Sequence, residues 1–329
     1  MNTKSVGVGV ALPSSGPFAT PENIFAVAKK AEDLGYDDVW VNDHYSYPRS
    51  RLTRSSVGSF EAVTDQDPDF FESLTTLASV AGRHSRIGVA VHSLVLPLRD
   101  PRLFAKQVAT IAELSGHRLT VAPGIGSAKV DFAAAEVPFE RRGKIMDEHL
   151  AVLHAIITQD APASFSGQRV HFDGGTFYPR PRNVRLWITG DSEPALKRVV
   201  RYATGWFSSG WPSIEAYRKL GERLTELARE AGRDDSSIVR ASDPFVCIAR
   251  TREEAFRVAE KSLTERFGSV ERGLVHCGVG SSADVRDHLR RLTDAGARYF
   301  ELRFICHDIR SCLGMIERFA QEVLPALSA

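Results

Sequence analysis

The chain has 329 residues, of which 43% are hydrophobic and 25% charged, the ordinary balance of a globular protein with a large core. Its 42 basic and 41 acidic side chains leave a formal net charge of +1, which argues against a global attraction to nucleic acid or to an anionic membrane. The opening MNTKSVGVGVALP carries one lysine and an apolar run halted by Pro13, too short and interrupted for a signal peptide or a membrane span. The cytoplasm is the expected location.

From end to end, short β-branched runs alternate with helical patterns. Strands are expected at 6–12, 38–41, 87–92, 118–122, 185–188, 205–208, 244–249 and 299–304. Helices are expected at 20–34, 71–82, 101–115, 141–158, 193–203, 213–231, 252–263 and 283–295, with a tail helix at 311–324. Such alternation implies parallel strands joined by crossovers. Eight units predict a closed (β/α)8 barrel forming one domain over residues 1–329, a length that such barrels commonly reach.

Helix ends carry recognisable signals. Thr20 and Asp100 each precede a proline, an N-cap followed by a first helical residue that needs no N–H. Gly35, Gly116, Gly232 and Gly296 follow helical patterns, where a left-handed C-cap is wanted. Three connections exceed what a barrel needs and are expected insertions: 45–70, 160–184 with a hairpin around SFSGQRVHFDGG, and 262–281. Cys247, Cys277, Cys306 and Cys312 form no CxxC pair and read as reduced core thiols.

The strand 38–41 runs straight into Asp43, His44 and Tyr45. A chain leaving the core must turn polar, and Asp is a common turn residue; a parallel barrel also places its chemistry at the C-terminal ends of its strands. In LWITGDSEPALKRVV, residues 186–200, Gly190, Asp191 and Ser192 put backbone N–H groups at a helix N-terminus, which favours phosphate. The plainer reading is that Asp191 or Ser192 caps the helix. Gly124 and Gly126 in VAPGIGSAKVDF end the fourth strand, where glycine admits close approach or serves the turn itself.

GxGxxG, HExxH, GxSxG and the P-loop pattern are absent. His44, His92, His276 and His307 fall near strand ends, as metal ligands would, but each also reads as a hydrogen-bonded loop or core histidine. No metal site is assigned.

The blocks LGYDDVWVNDH, ESLTTLASVAGRHSRIGVAVHSLVLPLRDPRLFAKQVATIAELSGHRLTVAPGIG, VPFERRGKIMDEHLAVL and LWITGDSEPALKRVVRYATGW resemble the bacterial luciferase-like superfamily. That superfamily holds flavin monooxygenases and oxidoreductases using the deazaflavin coenzyme F420. The resemblance implies a barrel of the luciferase-like type, with Asp43 and His44 facing the reactive edge of the cofactor ring. It implies a bulged, often non-prolyl cis peptide near His92–Ser93 against the ring's back face, and a phosphate loop at Gly190, Asp191 and Ser192. The backbone of Gly124, Ile125 and Gly126 is expected to line the cofactor.

Two departures narrow the resemblance. Ser127 stands where several sugar-phosphate dehydrogenases of the deazaflavin branch carry Glu, and Gly124 stands where luciferase has a reactive Cys. Neither sugar-phosphate oxidation nor light emission is therefore implied. The leading expectation is F420-dependent hydride transfer to or from a small organic substrate, with His44 as acid or base and Asp43 orienting it. The alternatives are an FMN-dependent monooxygenase fed by a separate reductase, and a cofactor-binding barrel without catalysis. Phe60, Phe70, Phe71, Trp206 and Trp211 point to an apolar part of the substrate. The faces of 71–80 and 101–114 are expected to pair in a homodimer.

Overall fold

The computed structural model describes residues 6–44, 69–159 and 162–327. Eight parallel strands close on themselves in the order β1 (Gly7–Ala11), β2 (Asp38–Val41), β3 (Gly88–Val95), β4 (Leu119–Gly124), β7 (Arg185–Thr189), β8 (Gly205–Phe207), β9 (Val239–Ser242) and β12 (Tyr299–Phe304). The seam is the pairing of Gly7 with Tyr299 through Val10 with Leu302. Of the remaining strands, β5 (Ala163–Ser166) and β6 (His171–Gly175) form an antiparallel hairpin within residues 160–184.

Alternation along each strand sorts the side chains. Val39, Val41, Val89 and Val91 join the apolar layer under the surrounding helices. Trp40, Ala90, Ala122, Trp187, Phe207, Ala241 and Tyr299 form a second cluster contributed by seven strands, which only the inside of a closed ring can assemble. Trp40 lies 5.5 Å from Trp187, 5.3 Å from Phe207 and 5.6 Å from Tyr299 between ring centroids. Successive inward residues of β12 are Tyr299, Glu301 and Arg303, all buried. The barrel thus has an aromatic middle and a charged upper layer.

The helices follow their sequence signals. Thr20 and Asp100 accept backbone N–H groups at the starts of Pro21–Asp33 and Pro101–Leu114. Gly35, Gly116, Gly232 and Gly296 have φ of +79°, +63°, +67° and +108°. All four cysteines are reduced and buried.

Two strands went unread in the sequence, and two expectations are corrected. The seventh stave is split: β9 pairs with β8 and β12, while β10 (Phe245–Ile248) continues it beside β12 and β11 (Cys277–Gly280). Pro244 lacks the N–H that an unbroken ladder needs, so the stave breaks at Asp243–Pro244. The expected strand 244–249 is therefore the upper half of the stave, and VRAS below it does the closing. Residues 262–281 are not a long connection. The helix Arg252–Phe267 runs on to a left-handed Gly268, a short helix follows at Val270–Leu274, and β11 comes next. CGVG is short and glycine-rich, with little strand propensity. The expected insertion 45–70 falls almost wholly outside the described residues, as do Tyr45 and Phe60. No helix among the described residues is long and apolar enough to cross a membrane.

Candidate functional site

At the C-terminal ends of the strands lies a cavity of about 820 Å³, ample for a flat cofactor ring and a small ligand beside it. Asp43, His44, His92, Ser93, Gly124, Ile125, Gly126 and Gly190 all line it. Asp191 and Ser192 do not.

His44 leaves β2 with its ring edge-on to Phe70, centroids 5.4 Å apart. Its Nδ1 lies 3.1 Å from Oδ2 of Asp131, a buried carboxylate on the short helix Lys129–Ala134. The partner expected from the sequence was Asp43, and the structure corrects this. The Asp43 carboxylate is gripped by Arg99 through Nη1 and Nη2 at 2.8 and 2.7 Å, by the Ser73 hydroxyl at 2.8 Å and by the Val95 N–H at 2.9 Å. A two-pronged Arg–carboxylate pair of this kind is strong and directional. Asp43 therefore ties the end of β2 to β3, and Asp131 orients the histidine. A carboxylate only accepts, so Nδ1–H donates to it and the lone pair of the neutral ring falls on Nε2.

The expected irregularity in the third strand is present in another form. Register against β4 shifts between His92 and Leu94, and Ser93 takes φ +52°, a left-handed conformation uncommon outside glycine. The cis peptide is not at His92–Ser93; among the described residues it is Tyr178–Pro179. Ser93 N–H donates to Thr189 Oγ1 at 3.2 Å, and that hydroxyl donates to Ala122 O at 2.9 Å. The bulge is thus pinned across β4 and β7.

Gly124 stands between them. A Cβ built there would meet Thr189 Cβ at 3.6 Å and Ser93 Cα at 3.7 Å, ordinary contacts, so packing does not demand glycine. What a side chain would cost is cavity. Gly190 has φ +135°, which an L side chain rarely adopts, and lines the same cavity.

Beyond Gly190 the helix Glu193–Tyr202 begins, and among the described residues no side chain caps it: Ser192 makes no capping bond, and Asp191 instead receives the Ser209 N–H at 3.2 Å. The plain capping role is therefore absent, and the first-turn N–H groups keep their capacity for an anion. Burial pushes the Asp191 carboxyl up to about 6, against the opposing pull of groups that bind its ionised form. Arg142 adds a cation to the cavity wall, its guanidinium 3.8 Å over the Phe139 ring and its Nε buried without a hydrogen-bond partner among the described residues.

Other residues were not singled out in the sequence. Asp131 and Arg142 sit in ordinary helical patterns, where a charged residue reads as solvent-facing. Asp243, Arg266 and Arg303 also line the cavity. A signal for Arg303 existed: YFELRF places charges at alternate positions of a core strand, which puts both on one face. Of the aromatic residues expected near substrate, Phe70 and Trp211 line the cavity. Trp206 does not, being fully buried against Tyr217 with ring centroids 5.0 Å apart. Among the described residues no three His, Cys, Asp or Glu are grouped to hold a metal ion.

The family model for luciferase-like monooxygenases matches residues 5–273. The chain belongs to that family. Its members are flavin- or F420-dependent oxidoreductases and monooxygenases. An uncharacterised protein of Mycobacterium tuberculosis is 30% identical over 211 residues, covering 63% of this chain and 72% of its own. A phthiodiolone/phenolphthiodiolone dimycocerosates ketoreductase of Mycobacterium sp. (strain JLS) is 27% identical over 286 residues, covering 80% of this chain and 70% of its own. Among solved structures, an F420-dependent secondary alcohol dehydrogenase carrying an F420–acetone adduct superposes with a TM-score of 0.79 at 17% identity, over 98% of this chain and 99% of that one. The FMN-bound oxygenating constituent of 3,6-diketocamphane monooxygenase from Pseudomonas putida gives 0.76 at 17% identity, over 98% of each chain. At such identities the likeness is one of fold.

Proposed function

We propose that the chain is an F420-dependent oxidoreductase that moves a hydride to or from a carbon bearing oxygen in a small organic substrate. The observation that carries this reading is the His44–Asp131 pair at the edge of the cavity. When bound, the deazaflavin supplies hydride chemistry, since carbon replaces the flavin's reactive ring nitrogen and oxygen is scarcely activated. In the oxidative direction the hydroxyl proton passes to His44 Nε2 as the C–H hydride leaves and the C=O bond forms; in the reductive direction the proton returns. Asp131 holds the ring in the tautomer that this exchange requires and stabilises the imidazolium. The Ser93 bulge and Gly124 leave room for a flat ring, and Gly190, the uncapped helix and Arg142 offer an anion its partners.

The names of two similar proteins support the substrate class: one is a ketoreductase, the other a secondary alcohol dehydrogenase. An FMN-dependent monooxygenase supplied by a separate reductase is the second reading, favoured by the fold shared with an FMN-bound monooxygenase. Fluorescence titration of the purified protein with F420 and with FMN separates them. Saturable binding of F420 is the expected result; binding of FMN with none of F420 would overturn the first reading in favour of the second.

A further inference from the structure

At the wall and floor of the cavity lies a buried group of four ionisable side chains, three of them lining it, that the reaction above does not use. Arg303, on β12, places Nη2 2.7 Å from His92 Nε2. A guanidinium only donates, so Nε2 must present its lone pair and His92 must be neutral with its proton on Nδ1. That nitrogen lies 2.6 Å from Glu301 Oε2, with the oxygen off the line of the N–H bond. The ring is further clamped face to face on Phe207, centroids 4.8 Å apart and planes 4° from parallel.

The charge count then has one surplus. Among the described residues a single cation, Arg303, approaches two carboxylates, Glu301 at 3.3 Å and Asp243 at 3.2 Å. All four groups are nearly excluded from water: Glu301 is 1% exposed, His92 4%, Asp243 5% and Arg303 5%. Two carboxylates sharing one cation in such a place cannot both ionise without a large penalty. Glu301 has both Arg303 and the Nδ1 side of His92 beside it. The Asp243 carboxyl makes one hydrogen bond among the described residues, accepted by Oδ2 from the Trp211 indole N–H at 3.1 Å, while Arg303 Nε approaches the same oxygen off-axis. Elsewhere around it stand Asp191, whose charge opposes a second anion, His276 and His288 behind the wall, and Arg266, whose guanidinium lies over the Trp211 and Phe245 rings at 4.6 and 4.3 Å. Burial raises the Asp243 carboxyl, whereas Glu301, buried as deeply, is held low by the groups beside it.

We propose that Asp243 stands as a neutral carboxylic acid on the cavity wall, a positioning residue whose O–H donates to an acceptor atom of the bound molecule, with His92 locked beside it as the neutral Nδ1–H tautomer. The cavity then holds two proton-bearing groups of different kind. His44 exchanges its proton; Asp243 keeps its own and fixes orientation. The donor role rests on this cavity being the binding site proposed above, whereas the protonation states do not, so they are measured on the protein alone.

Infrared spectra of wild type and Asp243→Asn near neutral pH test the acid directly, and selective ¹⁵N labelling of histidine tests the tautomer. The expected results are a protonated-carboxyl band in wild type that is lost in Asp243→Asn but kept in Asp131→Asn, and His92 nitrogens reporting one protonated and one bare position. Asp243→Asn, which keeps shape and donor while adding no charge, should also unfold near the wild-type temperature. A missing band, a band that survives Asp243→Asn, or a doubly protonated His92 would overturn the proposal whatever cofactor binds. If the band is present and F420 and FMN both fail to bind, the proposed function is at fault and the acid stands.

Discussion

His44 and Asp43 are neighbours in sequence with separate employment. His44 reaches Asp131, while Asp43 is consumed by Arg99, Ser73 and the Val95 N–H, and this division makes the two aspartates distinguishable by mutation. His44→Ala is expected to lower turnover by about a hundredfold or more, the usual worth of a positioned acid or base, while leaving cofactor affinity unchanged. Asp131→Asn should fall between that variant and wild type and shift the pH profile of turnover, because it keeps the shape but removes the charge favouring imidazolium. Single-turnover reoxidation of the bound reduced cofactor reads both. Asp43→Ala should instead strip Arg99 of a buried partner and cost stability, about 3 kcal/mol or more. Denaturant unfolding measures it. An Asp43→Ala protein of wild-type stability would contradict the structural role given to that carboxylate.

At the scale of the element, the turn from β7 into the helix Glu193–Tyr202 carries two expectations. Gly190 sits at φ +135° with Ala195 Cβ only 3.1 Å from where its own Cβ would be. Gly190→Val should therefore weaken cofactor binding far more than Asp191→Ala, whose side chain turns away to the Ser209 N–H. Equal losses of F420 or FMN affinity in the two variants would rule out a backbone cradle.

The second expectation concerns pH. Asp191 has its carboxyl raised from an ordinary 3.8 to about 6 by burial, so the folded state holds its proton more tightly than the unfolded chain does. That stabilisation is fully present below the ordinary aspartate range and is lost as pH rises through about 6. Asp191→Asn should flatten this part of the profile. Thermal unfolding of both proteins between pH 4 and pH 7, a window set by that shift, gives the comparison; parallel curves would refute the assignment.

Over the whole molecule, the outer face of Pro101–Leu114 exposes Leu103 and Leu114, 59% and 56% accessible. Eleven residues apart, they stand on one stripe of the helix. A second copy of the chain is the proposed cover for that face, and light scattering at micromolar concentration is expected to return a dimer mass. Leu103→Glu with Leu114→Glu should shift the mass to that of a monomer without loss of the barrel fold by circular dichroism.

Much of the architecture is written locally. Alternating runs announce parallel strands and crossover helices, Thr20 and Asp100 announce helix starts, and the four left-handed glycines announce helix ends, because each rests on backbone sterics or hydrogen bonds within a few residues. The resemblance of the VWVNDH and LWITGDS blocks to the luciferase-like family pointed to the ends of β2 and β7. Signals that need a distant partner could not be read this way. VRAS and CGVG have little strand character by themselves and become strands when β12 and β10 pair with them. Asp131 in KVDFAA looks like any polar helix position until closure of the ring carries it 87 places back along the chain to His44.

The amino-acid order dictates the inventory: most of the strands and helices, which faces are apolar, and which titratable groups stand at strand ends. Only the closed barrel decides who meets whom. Arg303 is 211 residues from His92, and nothing local tells a guanidinium to share an imidazole, or tells Asp43 to serve Arg99 rather than the adjacent histidine. Those choices follow from the register of β12 against its neighbours and from the cost of burying an unpaired charge, which exists only once the ring has closed and excluded water.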